Sequence, residues 1–147
     1  MLNLNRRRAN PSDTEFLLQL RRSLMDPHLI ASGADTSLEA HLERLHYRFD
    51  CAEILLAGNR PVGLLKIARD EGNWELIQLQ LIPELQGRGI GTQLLRQLIV
   101  DATAAGVSLT LSVLKANPAR ALYERLGFVA EGESAVEYHL RWHNPPG

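Results

Sequence analysis

The chain has little cysteine, no excess of either charge and no long apolar run, and each shortage excludes a class of function. Cys51 is its one cysteine, so no intramolecular disulfide can form and thiolates alone cannot build a zinc site. Sixteen basic and seventeen acidic side chains give a formal net charge of -1, which leaves no broad basic field for nucleic acid or an anionic membrane. No uninterrupted apolar stretch approaches the roughly 20 residues of a membrane-spanning helix. We therefore expect a cytoplasmic protein without nucleic-acid or membrane partners.

The length of 147 residues and an ordinary composition, 45% apolar and 22% charged, indicate one domain with a single core. We expect this domain to span residues 1–143, followed by a loose tail over 144–147 that ends in Pro-Pro-Gly. Cys51 opens an apolar run, which predicts a small buried side chain rather than a catalytic thiol.

Hydrophobic periodicity divides the chain into strands and helices. Strands are predicted at Leu2–Leu4, Glu53–Ala57, Val62–Ala68, Trp74–Ile82, Val107–Val113 and Val136–Trp142. Helices are predicted from Ser12 or Asp13 to an end or kink at Pro27, from a cap at Ser37 through Phe49, over Gly89–Ala105, and over Pro118–Leu126 with Asn117 as cap. The antiparallel meander followed by strand, helix and strand predicts an α+β fold with one mixed, mostly antiparallel sheet of six to seven strands and about four helices.

A glycine-rich loop separates the fourth predicted strand from the helix that follows it. Gly87, Gly89 and Gly91 let the backbone turn with its N–H groups converging and no Cβ in the way. The first turn of a helix leaves N–H donors unpaired and carries partial positive charge, so the loop is typical of a pyrophosphate site. A glycine-rich turn without a ligand is the alternative, but three glycines at a helix start are costly for structure alone.

Two common phosphate-binding patterns are absent from this loop. A Walker loop requires Gly-Lys followed by Ser or Thr, and the loop contains no lysine. A dinucleotide-binding fingerprint requires glycine where Thr92 stands, and its strand would come early in a doubly wound sheet.

The segment Pro83–Gly91 resembles motif A of the Gcn5-related N-acetyltransferase (GNAT) family, which reads Gln/Arg-x-x-Gly-x-Gly/Ala; Gln86, Gly89 and Gly91 fill its fixed places. The segment Asn117–Phe128 resembles motif B of the same family. The order of elements is similar to that of the family from about Leu2 to Trp142.

The resemblance implies an acetyl-CoA-dependent N-acetyltransferase without a metal, acting as a monomer or homodimer on an amine of a small molecule, amino acid or protein. A non-catalytic acyl-CoA-binding or sensing domain of the same fold is the alternative. The resemblance assigns the pantetheine arm to the fourth strand, which usually carries a bulge and splays from the next strand. The cofactor-binding positions it implies are Leu79, Leu81, Ile82, Gln86, Gly87, Arg88, Gly89, Ile90, Gly91, Thr92, Asn117, Ala121 and Tyr123.

Two residues receive catalytic roles from the resemblance. Tyr123 matches the tyrosine that commonly protonates the departing thiolate, and a backbone N–H near Leu81 would stabilise the oxyanion. Glu75 matches the spacing of a general-base glutamate, with a solvent-facing strand residue as the alternative. Gln78 and Gln80 lie on the opposite parity from Glu75, so they reach the substrate only where a bulge turns them inward.

The acceptor-binding residues are expected on the first two helices and the last hairpin. Arg21 and His41 are predicted on the polar faces of those helices, and His139 on an exposed strand face. Candidates for the acceptor region are Arg21, Arg22, His28, Glu39, His41, His46, Tyr47, Glu131, Glu133 and Tyr138. This mixture of charges does not identify the acceptor.

Overall fold

The computed structural model describes residues 3–31, 33 and 35–144, without the side chain of His28. Within this part of the chain seven strands form one sheet: β1 Asn5–Arg8, β2 Ala52–Ala57, β3 Arg60–Asp70, β4 Asn73–Leu81, β5 Ser108–Leu114, β6 Val129–Glu133 and β7 Glu137–Trp142. The helices are α1 Thr14–Ala31, α2 Leu38–His46, α3 Ile90–Ala105 and α4 Arg120–Arg125, and 3₁₀ turns lie at Pro11–Asp13, Phe49–Cys51 and Pro83–Leu85.

The strands lie in the order β1-β2-β3-β4-β5-β7-β6. β4 and β5 are parallel because α3 connects them as a crossover, and every other neighbouring pair is antiparallel. This confirms the predicted mixed α+β sheet and its strand-helix-strand unit.

Each face of the sheet is covered by its own apolar layer. On one face α3 places Leu95, Leu98 and Ala102 against a core that contains the fully buried Leu109 and Leu140. On the other face α1 and α2 cover a second core, whose buried members are Leu17, Leu20, Leu45, Ala52, Ile54 and Leu64. Residues of β4 that point toward α1 and α2 therefore lie between the sheet and two helices.

A bulge in β4 changes which of its side chains share a face. Lys66 of β3 pairs with Gln78, whereas the next residue of β3, Ile67, pairs with Leu76, so Ile77 is an extra residue in β4. Residues directly opposite each other on paired strands share a face of the sheet. Lys66 and Ala68 are two positions apart on β3 and share a face, so their partners Gln78 and Glu75 share that face as well. The bulge therefore places Glu75 and Gln78 on one face, although strict alternation along the sequence would place them on opposite faces.

The first strand begins later than predicted, and the cap before the first helix lies earlier. β1 starts at Asn5, and Leu2 of the predicted strand lies outside the described residues. Asn10, not Ser12 or Asp13, caps the turn before α1, because its side chain accepts from the Ser12 N–H while Asp13 accepts from the Asn10 N–H.

Pro27 does not end α1, which continues to Ala31. A proline inside a helix removes one hydrogen bond, and the buried Leu29 anchors the final turn to the protein.

Smaller differences occur in the middle of the chain. The Ser37 cap is confirmed, since its side chain accepts from the Ala40 N–H, but α2 ends at His46 and Phe49 belongs to the following 3₁₀ turn. Cys51 ends that turn and is half-buried beside Arg48 instead of opening a strand as a buried apolar residue.

The C-terminal part contains one strand that was not predicted and one shorter helix. β6 is exposed along its whole length, so it lacks the apolar alternation by which strands are recognised. α4 starts at Arg120 rather than Pro118. Asn144, placed by the sequence in the tail, donates through its side chain to the carbonyls of Ala102 and Val107.

No helix in the described part of the chain has the length and apolar character needed to cross a membrane.

Candidate active site

The glycine loop begins α3 in a conformation that suits glycine. Gly87 and Gly89 have φ of 75° and 76°, in the left-handed region that other residues rarely adopt. A Cβ at Gly87, Gly89 or Gly91 would meet no atom within 4 Å, so the loop backbone faces open space. The N–H groups of the first helical turn, which begins at Ile90, have no intrahelical acceptors. The loop can therefore hold an anion through its backbone.

The loop is tied to the end of β4. The Gln86 side chain donates to the Leu81 carbonyl oxygen at 3.0 Å, and the Gln86 N–H donates to the Pro83 carbonyl oxygen. Beside it, Arg60 forms a two-bond ion pair with Glu84 at 3.2 and 2.9 Å. These contacts fix the loop relative to the strand that precedes it.

A slot opens between β4 and β5, because the parallel pairing stops at Leu76 and Leu111. The Ile82 N–H donates to Val62 O at 2.8 Å, and hydrogen-bonding alternates along an antiparallel pair. The backbone groups of Leu79 and Leu81 therefore point away from β3 and into the slot, while the Ile82 N–H is already used. The bulge and the splay implied by the family resemblance are both present.

Two adjoining cavities lie at this slot. The larger, about 400 Å³, extends between β4, β5 and the helices α1 and α2, and Glu75 is in its wall. The smaller, about 260 Å³, reaches toward the glycine loop, and Leu81, Gln86 and Gly91 line it. Both cavities are lined by Met25, Leu79, Gln80, Asn117 and Tyr123.

Tyr123 stands where the two cavities meet. α4 carries it, and its ring packs edge to face on Phe128 with 5.9 Å between ring centroids. Burial raises the pKa of its phenol, so the hydroxyl stays protonated at neutral pH. The residue can donate a proton into either cavity.

Asn117 lines both cavities and also stabilises the turn before α4. Its Oδ1 accepts from the Ala119 N–H at 2.9 Å, so its amide nitrogen is not used by this turn.

Polar side chains of β4 line the larger cavity. Glu75 is half-buried and makes no ion pair among the described residues. Gln78 and Gln80 are 9% and 6% exposed, and their Oε1 atoms have no hydrogen-bond partner within the described chain. Buried oxygens without a partner are costly, so these two atoms can accept hydrogen bonds from water or from a ligand in the cavity.

Arg21 and His41, expected on the polar helix faces, are instead buried together between α1 and α2. Arg21 is 7% exposed and His41 is 1% exposed. The Arg21 Nε donates to His41 Nδ1 at 3.0 Å, and His41 Nε2 lies 2.7 Å from Asp26 Oδ1. Arg21 lies four residues after Leu17 on α1, and His41 lies four residues before Leu45 on α2. Residues four apart share a face of a helix, so this spacing was the sequence signal that Arg21 and His41 lie on apolar faces.

Lys66 is a second buried cation, placed in the middle of an otherwise apolar strand. It is 1% exposed, and its Nζ donates to the carbonyls of Leu45 and Tyr47 at 3.0 and 2.7 Å. Burial, together with the charges of Arg44 and Arg21, lowers the Lys66 pKa to about 8. Lys66 thereby holds the C-terminal end of α2 against the sheet.

A serine-histidine pair also borders the larger cavity. Ser112 of β5 lines it, and its Oγ lies 2.8 Å from Nδ1 of His139, the residue opposite it on β7. His139 is half-buried and hydrogen-bonded rather than freely exposed. Sequence periodicity could not reveal this pair, because the two residues are 27 positions apart.

Several residues with proposed cofactor roles lie outside the two cavity linings. Arg88 is exposed beside Glu84, Thr92 is half-buried in the first turn of α3, and Ala121 is exposed on α4. The Ile90 side chain is buried in the core under the loop. Among the described residues no cluster of histidine, cysteine and carboxylate side chains could hold a metal ion.

Comparisons with known proteins agree with this arrangement. A family model described as "Acetyltransferase (GNAT) family" matches residues 17–128. No curated protein sequence gives a significant match.

Solved structures of similar fold cover nearly the whole chain. The PaiA N-acetyltransferase from Thermoplasma acidophilum, solved with coenzyme A, has a TM-score of 0.72 at 17% identity and covers 96% of this chain and 99% of its own. An acetyltransferase from Thermus thermophilus has a TM-score of 0.72 at 23% identity over 95% and 96% of the two chains. The N-acetylglutamate synthase from Neisseria gonorrhoeae, complexed with coenzyme A and N-acetyl-glutamate, has a TM-score of 0.70 at 18% identity over 98% of this chain and 36% of its own.

Proposed function

Because this chain belongs to the GNAT acetyltransferase family, we propose that it transfers the acetyl group of acetyl-CoA directly to a primary amine. The observation that carries the proposal is the continuity of the site. A backbone cradle at the start of α3 leads through the slot between β4 and β5 to a cavity that contains Glu75 and Tyr123.

Acetyl-CoA would supply the activated thioester. The backbone of Gln86–Thr92 would hold its pyrophosphate, and the open space above Gly87, Gly89 and Gly91 fits such a group. Leu79 and Leu81 would bind the pantetheine arm with the backbone groups that face the slot, and Asn117 with its amide nitrogen. The Leu81 N–H is also the donor best placed to stabilise an oxyanion.

Tyr123 would act as the general acid. As the new C–N bond forms and the C–S bond breaks, a proton must reach the departing thiolate sulfur. A phenol whose pKa is raised by burial keeps its proton until that moment, and Tyr123 lies at the junction of the two cavities. The phenolate is then reprotonated from solvent.

Glu75 would accept the proton that the amine loses. An ammonium group has no lone pair with which to attack, so deprotonation must precede transfer. Glu75 lies in the wall of the larger cavity and is free of ion pairs within the described chain, so its carboxylate can take this proton directly or through water.

Calorimetric titration with CoA and with ATP tests the binding half of the proposal. We expect CoA to bind and ATP to bind far more weakly. Release of free thiol from acetyl-CoA across a panel of amines tests the transfer. CoA binding without amine-stimulated thiol release would favour a non-catalytic binding domain instead.

The acid assignment is tested by Tyr123→Phe, with Tyr138→Phe as the matched control. Tyr138, a candidate for the acceptor region in the sequence, instead lies on β7 under Lys115 and Arg120 and lines neither cavity. Loss of a general acid lowers kcat by about 100-fold or more. Unchanged turnover in Tyr123→Phe would refute the acid role.

The base assignment is tested by Glu75→Gln beside His139→Gln. We expect Glu75→Gln to be slow at neutral pH and to recover as the pH rises, because the amine then loses its proton unaided. A pH–rate profile of Glu75→Gln that runs parallel to the wild-type profile would refute the base role of Glu75. If His139→Gln, and not Glu75→Gln, is slow at neutral pH and recovers as the pH rises, the base is the Ser112–His139 pair.

A further inference from the structure

Arg21 is a buried cation held in one orientation by a chain of two further side chains. Its Nε–H donates to His41 Nδ1, so this nitrogen is an acceptor and carries no proton. A neutral imidazole with its proton on Nε2 then donates to Asp26 Oδ1 at 2.7 Å. The Asp26 carboxylate thereby fixes the His41 ring, and the ring fixes the plane of the guanidinium.

The outer end of the guanidinium has no partner among the residues that the structure describes. Only the Nε of Arg21 makes a hydrogen bond among the described residues, and Arg21 forms no ion pair with any described carboxylate. Arg21 also lines the larger cavity. The two terminal amino groups, which form the fork that binds carboxylates, are therefore available to a ligand there.

The local charge favours an anion at this place. Burial and the nearby charge of Arg44 lower the Arg21 pKa to about 10. Arg44 lines the same cavity from α2. The charges of Asp26 and Glu137 offset this lowering only in part, and neither carboxylate forms an ion pair with Arg21 within the described chain.

The β4 side of the same cavity has the opposite character. Glu75 and the unpaired Oε1 atoms of Gln78 and Gln80 are acceptors for N–H groups. A volume of about 400 Å³ is at the small end of the range for small-molecule sites. The cavity thus joins an anion-binding end on α1 to an amine-accepting wall on β4.

We propose that the acceptor is a small amino-carboxylate, such as an α-amino acid, whose carboxylate binds the Arg21 guanidinium while its amine faces Glu75. This inference rests on the proposed function, because it identifies the substrate class of the same site. His41 and Asp26 are positioning residues that hold Arg21 and do not touch the substrate.

The experiment compares L-amino acids with their carboxamides and their decarboxylated amines as acceptors, by thiol release at saturating acetyl-CoA. We expect acids to exceed amides and amines by about 10- to 100-fold in kcat/KM, the range for one charged hydrogen-bonding contact. Arg21→Gln should remove this preference by raising KM for the acids, with KM for acetyl-CoA unchanged. Arg22→Gln should keep it, because Arg22, a candidate for the acceptor region in the sequence, is exposed on α1 and lines neither cavity.

Two further variants separate binding from folding. Arg21→Lys keeps the charge but loses the fork, so it should restore part of the preference. Asp26→Asn alters a half-buried residue and should raise KM for acids alone, by less than Arg21→Gln does, since Arg21 remains present.

The outcomes distinguish this inference from the proposed function. Amides or amines used as well as acids by an active wild-type enzyme would overturn the carboxylate site, as would an undiminished preference in Arg21→Gln. If no amine releases thiol, the proposed function fails. Thermal unfolding of the CoA-loaded protein then decides the site: a Tm raised by acids and not by their amides supports it, and no rise with acids overturns it.

Discussion

Lys66 makes protein stability depend on pH in a way that can be calculated. The residue is 1% exposed, and its pKa is lowered from 10.5 to about 8, first by burial and then by the charges of Arg44 and Arg21. Between these two values the unfolded chain binds more protons at this lysine than the folded chain does. The free energy of unfolding must therefore rise with pH in this window.

The magnitude follows from the two pKa values. From pH 7 to pH 9 the contribution of Lys66 to the free energy of unfolding should rise by about 1 kcal/mol, because one pKa unit corresponds to roughly 1.4 kcal/mol. Lys66→Met removes the titrating group but keeps an unbranched side chain of similar length. Since all other groups titrate in both proteins, the difference between wild type and variant isolates the lysine.

The assay is urea unfolding at pH 7 and pH 9, followed by the fluorescence of Trp74 and Trp142. Lys115→Met is the control, because Lys115 is the other lysine of the chain and is exposed. In Lys115→Met the free energy of unfolding should change between pH 7 and pH 9 by the same amount as in the wild type. A difference between wild type and Lys66→Met that is equal at both pH values would refute the reasoning.

Three other substitutions test individual contacts and backbone conformations of the fold. Gly63→Ala should destabilise the fold by about 1–3 kcal/mol, because the new Cβ would overlap the backbone oxygen of Gln80 and β4 would have to shift; chemical denaturation measures this. Gly89→Ala should cost about 1–2 kcal/mol through its positive φ alone and should weaken CoA binding in calorimetric titration. Asp13→Asn should lower the unfolding free energy by about 2 kcal/mol at pH 7, because Asp13 accepts two hydrogen bonds from Arg7 at 2.9 and 2.8 Å. The Arg7 contact lowers the Asp13 pKa, so this loss should shrink as the pH falls below about 4.

Each of these substitutions has a matched comparison. Gly132→Ala should leave the free energy of unfolding nearly unchanged, because the nearest atom to a new Cβ is 3.8 Å away. If Gly63→Ala destabilises the fold no more than Gly132→Ala does, the predicted overlap with the Gln80 oxygen is wrong. Gly89→Asn should cost less than alanine, because asparagine tolerates a positive φ. Arg7→Gln combined with Asp13→Asn should cost less than the sum of the two single variants.

Local sequence features already predicted the main elements of the fold. The alternation along β2, β3 and β5, the Ser37 cap and the glycines at both ends of α3 depend on neighbours only a few positions away. The open backbone of the glycine loop is likewise a local feature, because Gly87 and Gly89 adopt conformations that glycine alone adopts freely.

The composition of the larger cavity was decided by tertiary structure. Glu75 and Gln78 share a face only because β4 inserts Ile77 opposite no partner, and register is a property of two strands together. Arg21 and His41 resemble solvent-facing residues in the sequence, yet the packing of α1 on α2 buries them as mutual partners. Periodicity records which face of a helix is apolar, whereas the pairing of two polar groups across that face depends on where both helices lie. The sequence alone therefore determined a glycine loop at the start of a helix, and the tertiary structure decided which charged side chains line the larger cavity.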